Sequence, residues 1–165
     1  MIFVTVGMQT PFDRLVRAMD EWAAARGRDD VFAQIGATEW RPQHIQYTQF
    51  VSPAEFAEHA RRARLIVAHA GIGTIFTAME AGRSILVMPR RAALGETRND
   101  HQLATVRRLA FCGITVAGDE SELTTCLDRM EQLSPAGRIL PHASAELLDA
   151  LRACIERGTS IPART

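Results

Sequence analysis

Lysine is absent from this chain of 165 residues, and all 19 of its Lys/Arg-type side chains are arginine. A Walker-type phosphate loop depends on a lysine that reaches the phosphates, so ATP hydrolysis of that kind is excluded. The 19 acidic side chains balance the arginines, which gives a formal net charge of zero. We therefore expect no nucleic-acid partner bound through bulk positive charge.

Cysteine is scarce as well. The three cysteines, Cys112, Cys126 and Cys154, are widely spaced and form no Cys-x-x-Cys pair. This pattern favours neither a disulfide framework nor a zinc site. No Asp-x-Asp-like metal pair stands out, so we expect no metal and no other cofactor.

Long hydrophobic runs are also missing. The apolar start of the chain, IFVTVG, is too short for a secretory signal or a membrane span. We expect a soluble, cytoplasmic protein, which could still dock on a membrane through a partner. Hydrophobic residues nevertheless make up 47% of the chain, and this composition at this length predicts one folded domain over residues 1–165.

The sequence does contain a regular alternation of short apolar runs and segments of helical periodicity. Predicted strands cover residues 2–6, 31–35, 45–51, 65–68, 85–88 and 114–116. Predicted helices cover residues 12–26, 53–63, 101–111, 121–133 and 143–157, with one more helix after residue 73 and a frayed tail at 158–165. This order predicts an α/β fold, a single Rossmann-like domain with a parallel sheet and helices on both faces. Ligands of such folds bind beyond the carboxyl ends of the strands.

A glycine-rich turn joins the strand at 65–68 to the next helix. In Gly71-Ile72-Gly73-Thr74, two glycines permit a ligand to approach the backbone closely, and Thr74 offers a hydroxyl at the helix start. The unpaired N–H groups and the dipole of the helix favour an anion there. Alternatively, the glycines only permit a tight turn and Thr74 only caps the helix. The turn lacks the third glycine of a dinucleotide fingerprint.

Polar side chains around this turn are further candidates. Glu80, on the same helix, could accept hydrogen bonds from ribose hydroxyls or be a solvated carboxylate. His69 directly follows the strand and could be structural or face a phosphate or a sugar; it is the one candidate for a catalytic residue. Arg90 and Arg91 could balance a diphosphate or an acidic sugar, or be solvated.

A polar run opens the predicted helix at 101–111. The side chains of Asn99, Asp100, His101 and Gln102 would suit the hydroxyl groups of a sugar. For Asn99 and Asp100, ordinary helix capping is the alternative.

Two stretches resemble a known family. HAGIGTIFTAMEAGRSILVMP, followed by NDHQ, resembles the donor-binding C-terminal half of family 28 glycosyltransferases, which have the GT-B fold. FVTVGMQTPFDRLV is similar to the start of the small subunit of two-part UDP-sugar glycosyltransferases. Such pairs include PssE-like exopolysaccharide subunits and the enzyme that adds the second N-acetylglucosamine to dolichol-linked oligosaccharide. The resemblance extends over residues 1–118.

The resemblance implies a binding site for a UDP-sugar. It assigns the diphosphate to Gly7, Thr10, Gly71, Gly73 and Thr74. It assigns the ribose to Glu80, the uracil to Phe50 and Val51, and the donor sugar to His101 and Gln102, with Asn99 as a further candidate. Met8 departs from the family pattern, which often has threonine at this position.

The implied activity is that of a donor-binding catalytic subunit. The chain would serve an inverting UDP-sugar glycosyltransferase that acts on a polyprenyl-diphosphate-linked acceptor. A complete GT-B enzyme has two such domains, so we expect the acceptor half to come from a separate, membrane-anchored partner. The helix at 143–157 either docks on that partner or packs on its own domain.

Other functions remain open at this stage. The chain could be a non-catalytic nucleotide-sugar-binding regulatory module, or a flavodoxin-like binding domain. An epimerase of UDP-N-acetylglucosamine shares this fold, but it needs two domains in one chain, and 165 residues are too few for that. The donor sugar stays open between glucuronic acid, N-acetylglucosamine and others.

Overall fold

Six strands form one parallel sheet. The computed structural model describes residues 1–109, 112–139 and 143–156. The strands are β1 (Ile2–Thr5), β2 (Val31–Gln34), β3 (Gln46–Thr48), β4 (Leu65–His69), β5 (Ser84–Met88) and β6 (Thr115–Val116). Their order across the sheet is β3-β2-β1-β4-β5-β6, and every neighbouring pair is parallel. The predicted parallel α/β fold is confirmed.

Helices follow the strands in the predicted alternation. They are α1 (Asp13–Arg26), α2 (Pro53–Arg62), α3 (Ile72–Glu80), α4 (His101–Leu109), α5 (Glu120–Asp128) and α6 (Ala145–Glu156). Short 3₁₀ turns lie at Ala92–Leu94 and Met130–Gln132. The ends predicted for two helices, at 110–111 and 157, and the predicted tail at 158–165 lie outside the described residues.

The sheet has a hydrophobic core on each face. Ile2 and Val4 of β1 pack with Leu15 of α1 and Leu123 of α5 in one cluster. Phe3, between them in sequence, points the other way into a second cluster. Because side chains alternate across a strand, both faces of β1 must be covered, and all three of its apolar side chains are fully buried.

The strand order reverses direction between β1 and β4. From β1 the chain builds outward through β2 and β3, and it then returns to place β4 on the other side of β1. Thr5 pairs with Ala68, so these two strands end at the same edge of the sheet. At such a switch point the following loops diverge, which leaves a crevice at the carboxyl edge.

The start of α1 differs from the prediction. The helix predicted from residue 12 begins at Asp13, and Phe12 is its N-cap without a side-chain capping bond. The carbonyl oxygens of Thr10 and Pro11 accept hydrogen bonds from Arg90 instead of from the first turn of a helix. A side chain distant in sequence thus binds the backbone just before the helix.

The last described helix, α6, keeps its apolar side chains exposed. Leu147, Leu148, Leu151 and Ile155 are between 41% and 77% exposed. The alternative that this face packs on its own domain is therefore wrong for these side chains. None of the helices in the described part of the chain combines the length and apolar character needed to cross a membrane.

Candidate functional site

A cleft of about 1010 Å³ opens at the carboxyl edge of the sheet. Its walls are the loop after β1, the start of α3, and the segment that leads from β5 into α4. The predicted site residues in its lining are Gly7, Thr10, His69, Gly71, Gly73, Thr74, Asn99, His101 and Gln102. Residues from four separate segments of the chain therefore meet where the strand order reverses.

The first turn of α3 points free backbone groups at this cleft. Gly71 is the N-cap and has no side chain to accept a hydrogen bond from the N–H groups that follow it. The first α3 bond in the regular pattern is the one from the N–H of Ile75 to the carbonyl of Gly71. The N–H groups of Ile72, Gly73 and Thr74 precede it, and such groups at a helix start favour an anion.

Two of the glycines are required by the ring of His69. Gly7 has a φ of +77°, and a Cβ at this position would lie 2.8 Å from Cε1 of His69. A Cβ at Gly71 would lie 2.2 Å from Nε2 of the same ring. The imidazole thus fills the space between the two loops. Gly73 differs, because a Cβ there would meet nothing within 4 Å.

His69 is an uncharged group at neutral pH. Burial, the positive charge of Arg90 and that of His101 lower its pKa to about 4, although the backbone of Thr5 acts in the opposite direction. The Nδ1 atom is buried and makes no hydrogen bond of normal geometry. A neutral imidazole donates one hydrogen bond and accepts one, so His69 can meet a ligand oxygen without being a cation.

Gln102 connects the ends of two strands. Its Oε1 accepts hydrogen bonds from the N–H of Ala70 and of Arg90, both at 3.1 Å, and the side chain is buried. These contacts position the floor of the cleft beyond β4 and β5. The predicted contact with a donor sugar stays a prediction, and because Oε1 is occupied it would have to come from the amide nitrogen.

The other predicted sugar contacts lie on the exposed rim. Oδ1 of Asn99 accepts a hydrogen bond of 3.1 Å from the N–H of His101 and also contacts its ring Nδ1. Asp100 accepts one of 2.9 Å from the N–H of Ala92. Asn99 therefore binds the backbone at the start of α4, close to the capping role that was its alternative, whereas the side chain of Asp100 binds the backbone of a preceding turn and does not cap α4. A direct sugar contact by Asn99 or His101 stays a prediction.

The predicted ribose and uracil residues lie outside the cleft lining. Glu80 is the exposed last residue of α3, about 12 Å along the helix axis from Ile72 at 1.5 Å per residue. Phe50 is 47% exposed, and Phe50 and Val51 come directly before Ser52, the N-cap of α2. Their roles stay predictions.

Arginines near the cleft divide into engaged and exposed side chains. The guanidinium of Arg90 donates to backbone carbonyls of the loop after β1, and that of Arg91 donates to the carbonyl of Gly118. Arg90 thus uses both terminal nitrogens on backbone carbonyls, and Arg91 does not line the cleft. Arg98, which the sequence reasoning missed, is exposed and lines the cleft. Its position in a loop after a predicted strand was the signal that could have found it.

A metal cluster is not seen in the part of the chain that the structure describes. Within residues 1–109, 112–139 and 143–156, no three His, Cys, Asp or Glu side chains come together in a way that could hold a metal ion.

A family comparison covers most of the chain. Residues 1–145 match the model of the glycosyltransferase family 28 C-terminal domain. The chain belongs to this family. The match includes every residue of the cleft and stops at the start of α6.

Solved structures share the fold of this family 28 domain. The glycotransferase of kitacinnamycin superposes with a TM-score of 0.58 at 20% identity, over 94% of this chain and 39% of that one. MurG of Acinetobacter baumannii gives a TM-score of 0.58 at 22% identity, over 80% of this chain and 42% of that one. ALG13 gives a TM-score of 0.58 at 15% identity, over 91% of this chain and 93% of that one. The domain therefore spans about two fifths of the first two proteins and nearly all of the third.

Proposed function

We propose that this chain binds the UDP-sugar donor of a glycosyltransferase in the cleft at the carboxyl edge. The observation that supports this most is the meeting of the uncapped start of α3 with the loop after β1 at the strand-order switch. The family match supports the same function. The cleft volume of about 1010 Å³ lies at the upper end of the range common for small-molecule sites.

The proposed reaction is direct displacement with inversion at the anomeric carbon. The diphosphate of the donor lies on the first turn of α3 and against Gly7 and Thr10. Backbone N–H groups and the helix dipole stabilise the negative charge that develops on the departing UDP. His69, neutral and beside the same turn, donates a hydrogen bond to the diphosphate or takes up a proton from the acceptor. The proposal requires no metal and no cofactor.

The acceptor half is proposed to come from a second protein. The chain corresponds to about two fifths of the kitacinnamycin enzyme and of MurG, which leaves more than half of each without a counterpart here. A membrane-anchored partner would supply that half and a polyprenyl-diphosphate-linked saccharide as acceptor. The partner would hold this chain at the inner face of the membrane, and the exposed apolar side of α6 is the proposed docking element.

Calorimetry with a panel of ligands tests donor binding. Wild-type protein is titrated with UDP, UDP-N-acetylglucosamine, UDP-glucuronic acid, FMN and NAD. We expect UDP and at least one UDP-sugar to bind, and we expect FMN and NAD not to bind. Binding of FMN or NAD in place of UDP contradicts the proposal.

A methyl group at Gly73 tests the location of the diphosphate. Gly73→Ala should weaken UDP binding about tenfold, since an added methyl in occupied space costs about 1–3 kcal/mol. The fold should tolerate the change, because the new Cβ meets nothing within 4 Å. Thr125→Ala, on the exposed side of α5, is the matched control and should leave UDP affinity unchanged. If Gly73→Ala binds UDP with the same affinity as Thr125→Ala, the diphosphate does not lie on this turn.

Transfer activity separates an enzyme subunit from a regulatory module. Co-expression with the membrane-anchored partner, followed by an assay of membranes with labelled UDP-sugars, should give transfer to lipid. Donor binding with no transfer in the presence of that partner would favour the non-catalytic module instead.

A further inference from the structure

Arg90 is a buried cation on the floor of the cleft. Its side chain is only 3% exposed, and the residue follows β5 by two positions. The guanidinium donates hydrogen bonds of 2.7 Å to the carbonyls of Val6 and Thr10 and a further one to Pro11. It also donates one of 3.2 Å to the carbonyl of Glu96. One side chain thus binds two separate backbone segments.

These two segments adjoin two different parts of the cleft lining. One part is residues 7–10 of the loop after β1, and the other includes residues 97–99, just past Glu96. The guanidinium also lies over the ring of Phe12, 4.6 Å from its centroid, which fixes its plane. A planar fork with several fixed donors can hold four carbonyls at once, and the three donors of a lysine on a single nitrogen cannot.

The charge of Arg90 is not cancelled by a direct ion pair among the described residues. Glu96, whose charge acts on Arg90, is itself engaged by Arg14 at 2.6 and 2.9 Å and by the N–H of Arg91 at 2.8 Å. Burial lowers the pKa of Arg90 to about 10, against the opposing effect of Glu96, so the side chain stays protonated at neutral pH. Its charge also acts on His69, whose pKa it lowers. The cleft floor therefore carries positive potential.

We propose that Arg90 is a positioning residue for the donor diphosphate, which ties these two parts of the cleft lining together and supplies positive charge without touching the ligand. The inference rests on the proposed binding of UDP in this cleft. It differs from a purely structural role because the loop it holds, residues 7–11, contributes no large apolar side chain to the core between Gly7 and Pro11. The ordered conformation of this loop therefore matters more for ligand binding than for the stability of the fold.

Two variants of Arg90 separate the effect of its positive charge from the effect of its planar set of hydrogen-bond donors. Arg90→Lys keeps the charge and loses most of the carbonyl contacts, and Arg90→Gln loses both. The matched control is Arg91→Gln, since Arg91 is the next residue, also donates to one carbonyl, and does not line the cleft. Affinities for UDP and for UMP are measured by calorimetry, well below the melting temperature of each variant. Hydrogen–deuterium exchange is measured over residues 7–11.

The expected losses depend on the number of phosphates. For Arg90→Lys, the Kd for UDP should rise about tenfold, as for loss of a hydrogen-bonding network to a charged group. For Arg90→Gln the rise should be larger, because the charge is lost as well. In both variants UMP should lose less than UDP, because UMP lacks the second phosphate that the loop held by Arg90 would contact. Exchange over residues 7–11 should become faster in both. Arg91→Gln should bind UDP within about twofold of wild type.

Several results would overturn the inference. If Arg90→Lys and Arg90→Gln melt at lower temperature but bind UDP as wild type does, Arg90 is only structural. Equal losses for UDP and UMP would refute the role at the diphosphate, and unchanged exchange over residues 7–11 would refute the proposal that Arg90 holds this loop. If Arg90→Gln does not fold, the lysine variant decides by the same criteria. If wild-type protein binds no UDP, the proposed function fails, and the exchange data still decide whether Arg90 holds the loop.

Discussion

Two helices of this domain begin in opposite ways. At α2, the hydroxyl of Ser52 accepts a hydrogen bond of 3.2 Å from the N–H of Glu55, and the carboxylate of Glu55 accepts one of 2.7 Å from the N–H of Ser52. Pro53 fills the first helical position without an N–H to satisfy. At α3, Gly71 offers no side-chain acceptor. One helix satisfies its own first turn, and the other leaves that turn for something else to bind.

The difference shows which local signals carry functional information. A capping box consumes the same N–H groups that an anion site requires, so the two cannot occupy one helix start. The uncapped start is also the one with an imidazole packed beneath it, since His69 fills the space beside Gly71. Changes at the two helix starts should therefore affect stability and ligand binding in different proportions.

The largest expected effect on this comparison comes from pH. The pKa of His69 is lowered to about 4 in the fold from a usual 6.5. Between these values the unfolded chain binds more protons, so the free energy of unfolding should fall by up to about 3 kcal/mol as pH drops through this range. Hydrogen bonds from Ser52 lower the pKa of Glu55 below 4.5, so the capped start should weaken only in more acid solution.

Urea denaturation from pH 7 to pH 4 measures this dependence. His69→Gln should flatten the curve between pH 6.5 and 4, and Glu55→Gln should leave that part unchanged. If the curve for His69→Gln still follows that of wild type, His69 is not the titrating group.

Gly71→Ala should have the next largest effect. Its Cβ would lie 2.2 Å from Nε2 of His69, so the ring must move out of its buried position. We expect a loss of about 2 kcal/mol, within the usual cost of overpacking, measured by urea denaturation. Adding His69→Ala to the same chain should recover part of that loss, because the ring is what the methyl meets. No recovery in the double variant would show that the strain lies elsewhere.

Removing the cap of α2 should have the smallest effect. Ser52→Ala should lower the free energy of unfolding by about 1 kcal/mol, the usual cost of losing an N-cap. Calorimetry should give a Kd for UDP equal to that of wild type, since Ser52 does not line the cleft. A clear loss of UDP affinity would contradict the distinction between the two helix starts.

Features fixed by neighbours in sequence could be predicted. The predicted end of the first helix at residue 26 and the predicted start of the second at residue 53 agree with α1 and α2. Gly27, with a φ of +58°, ends α1, and the capping box of Ser52 and Glu55 begins α2. Strand–helix alternation gave the parallel sheet, and the rule for carboxyl ends placed the cleft. The strand predicted at 45–51 shortened to Gln46–Thr48 because only one side of it pairs with a neighbour.

Features fixed by distant contacts could not be predicted. Arg90 donates to the carbonyl of Pro11, 79 positions away, and no local pattern predicts this contact. The close packing of Gly7 and Gly71 around His69 depends on two strands that meet only in the folded sheet. The two hydrogen bonds by which the oxygen of Gln102 joins the ends of β4 and β5 were not predicted, because no local pattern reveals them.

The sheet ends in short strands on both sides, and this limits how copies of the chain can aggregate. β3 has three residues and β6 has two, and they are the outermost strands. Unpaired backbone groups at a sheet edge are the template for amyloid-like strand addition, and short edges offer few of them. The chain can therefore expose the leucines of α6 while offering little backbone for polymerisation through its sheet.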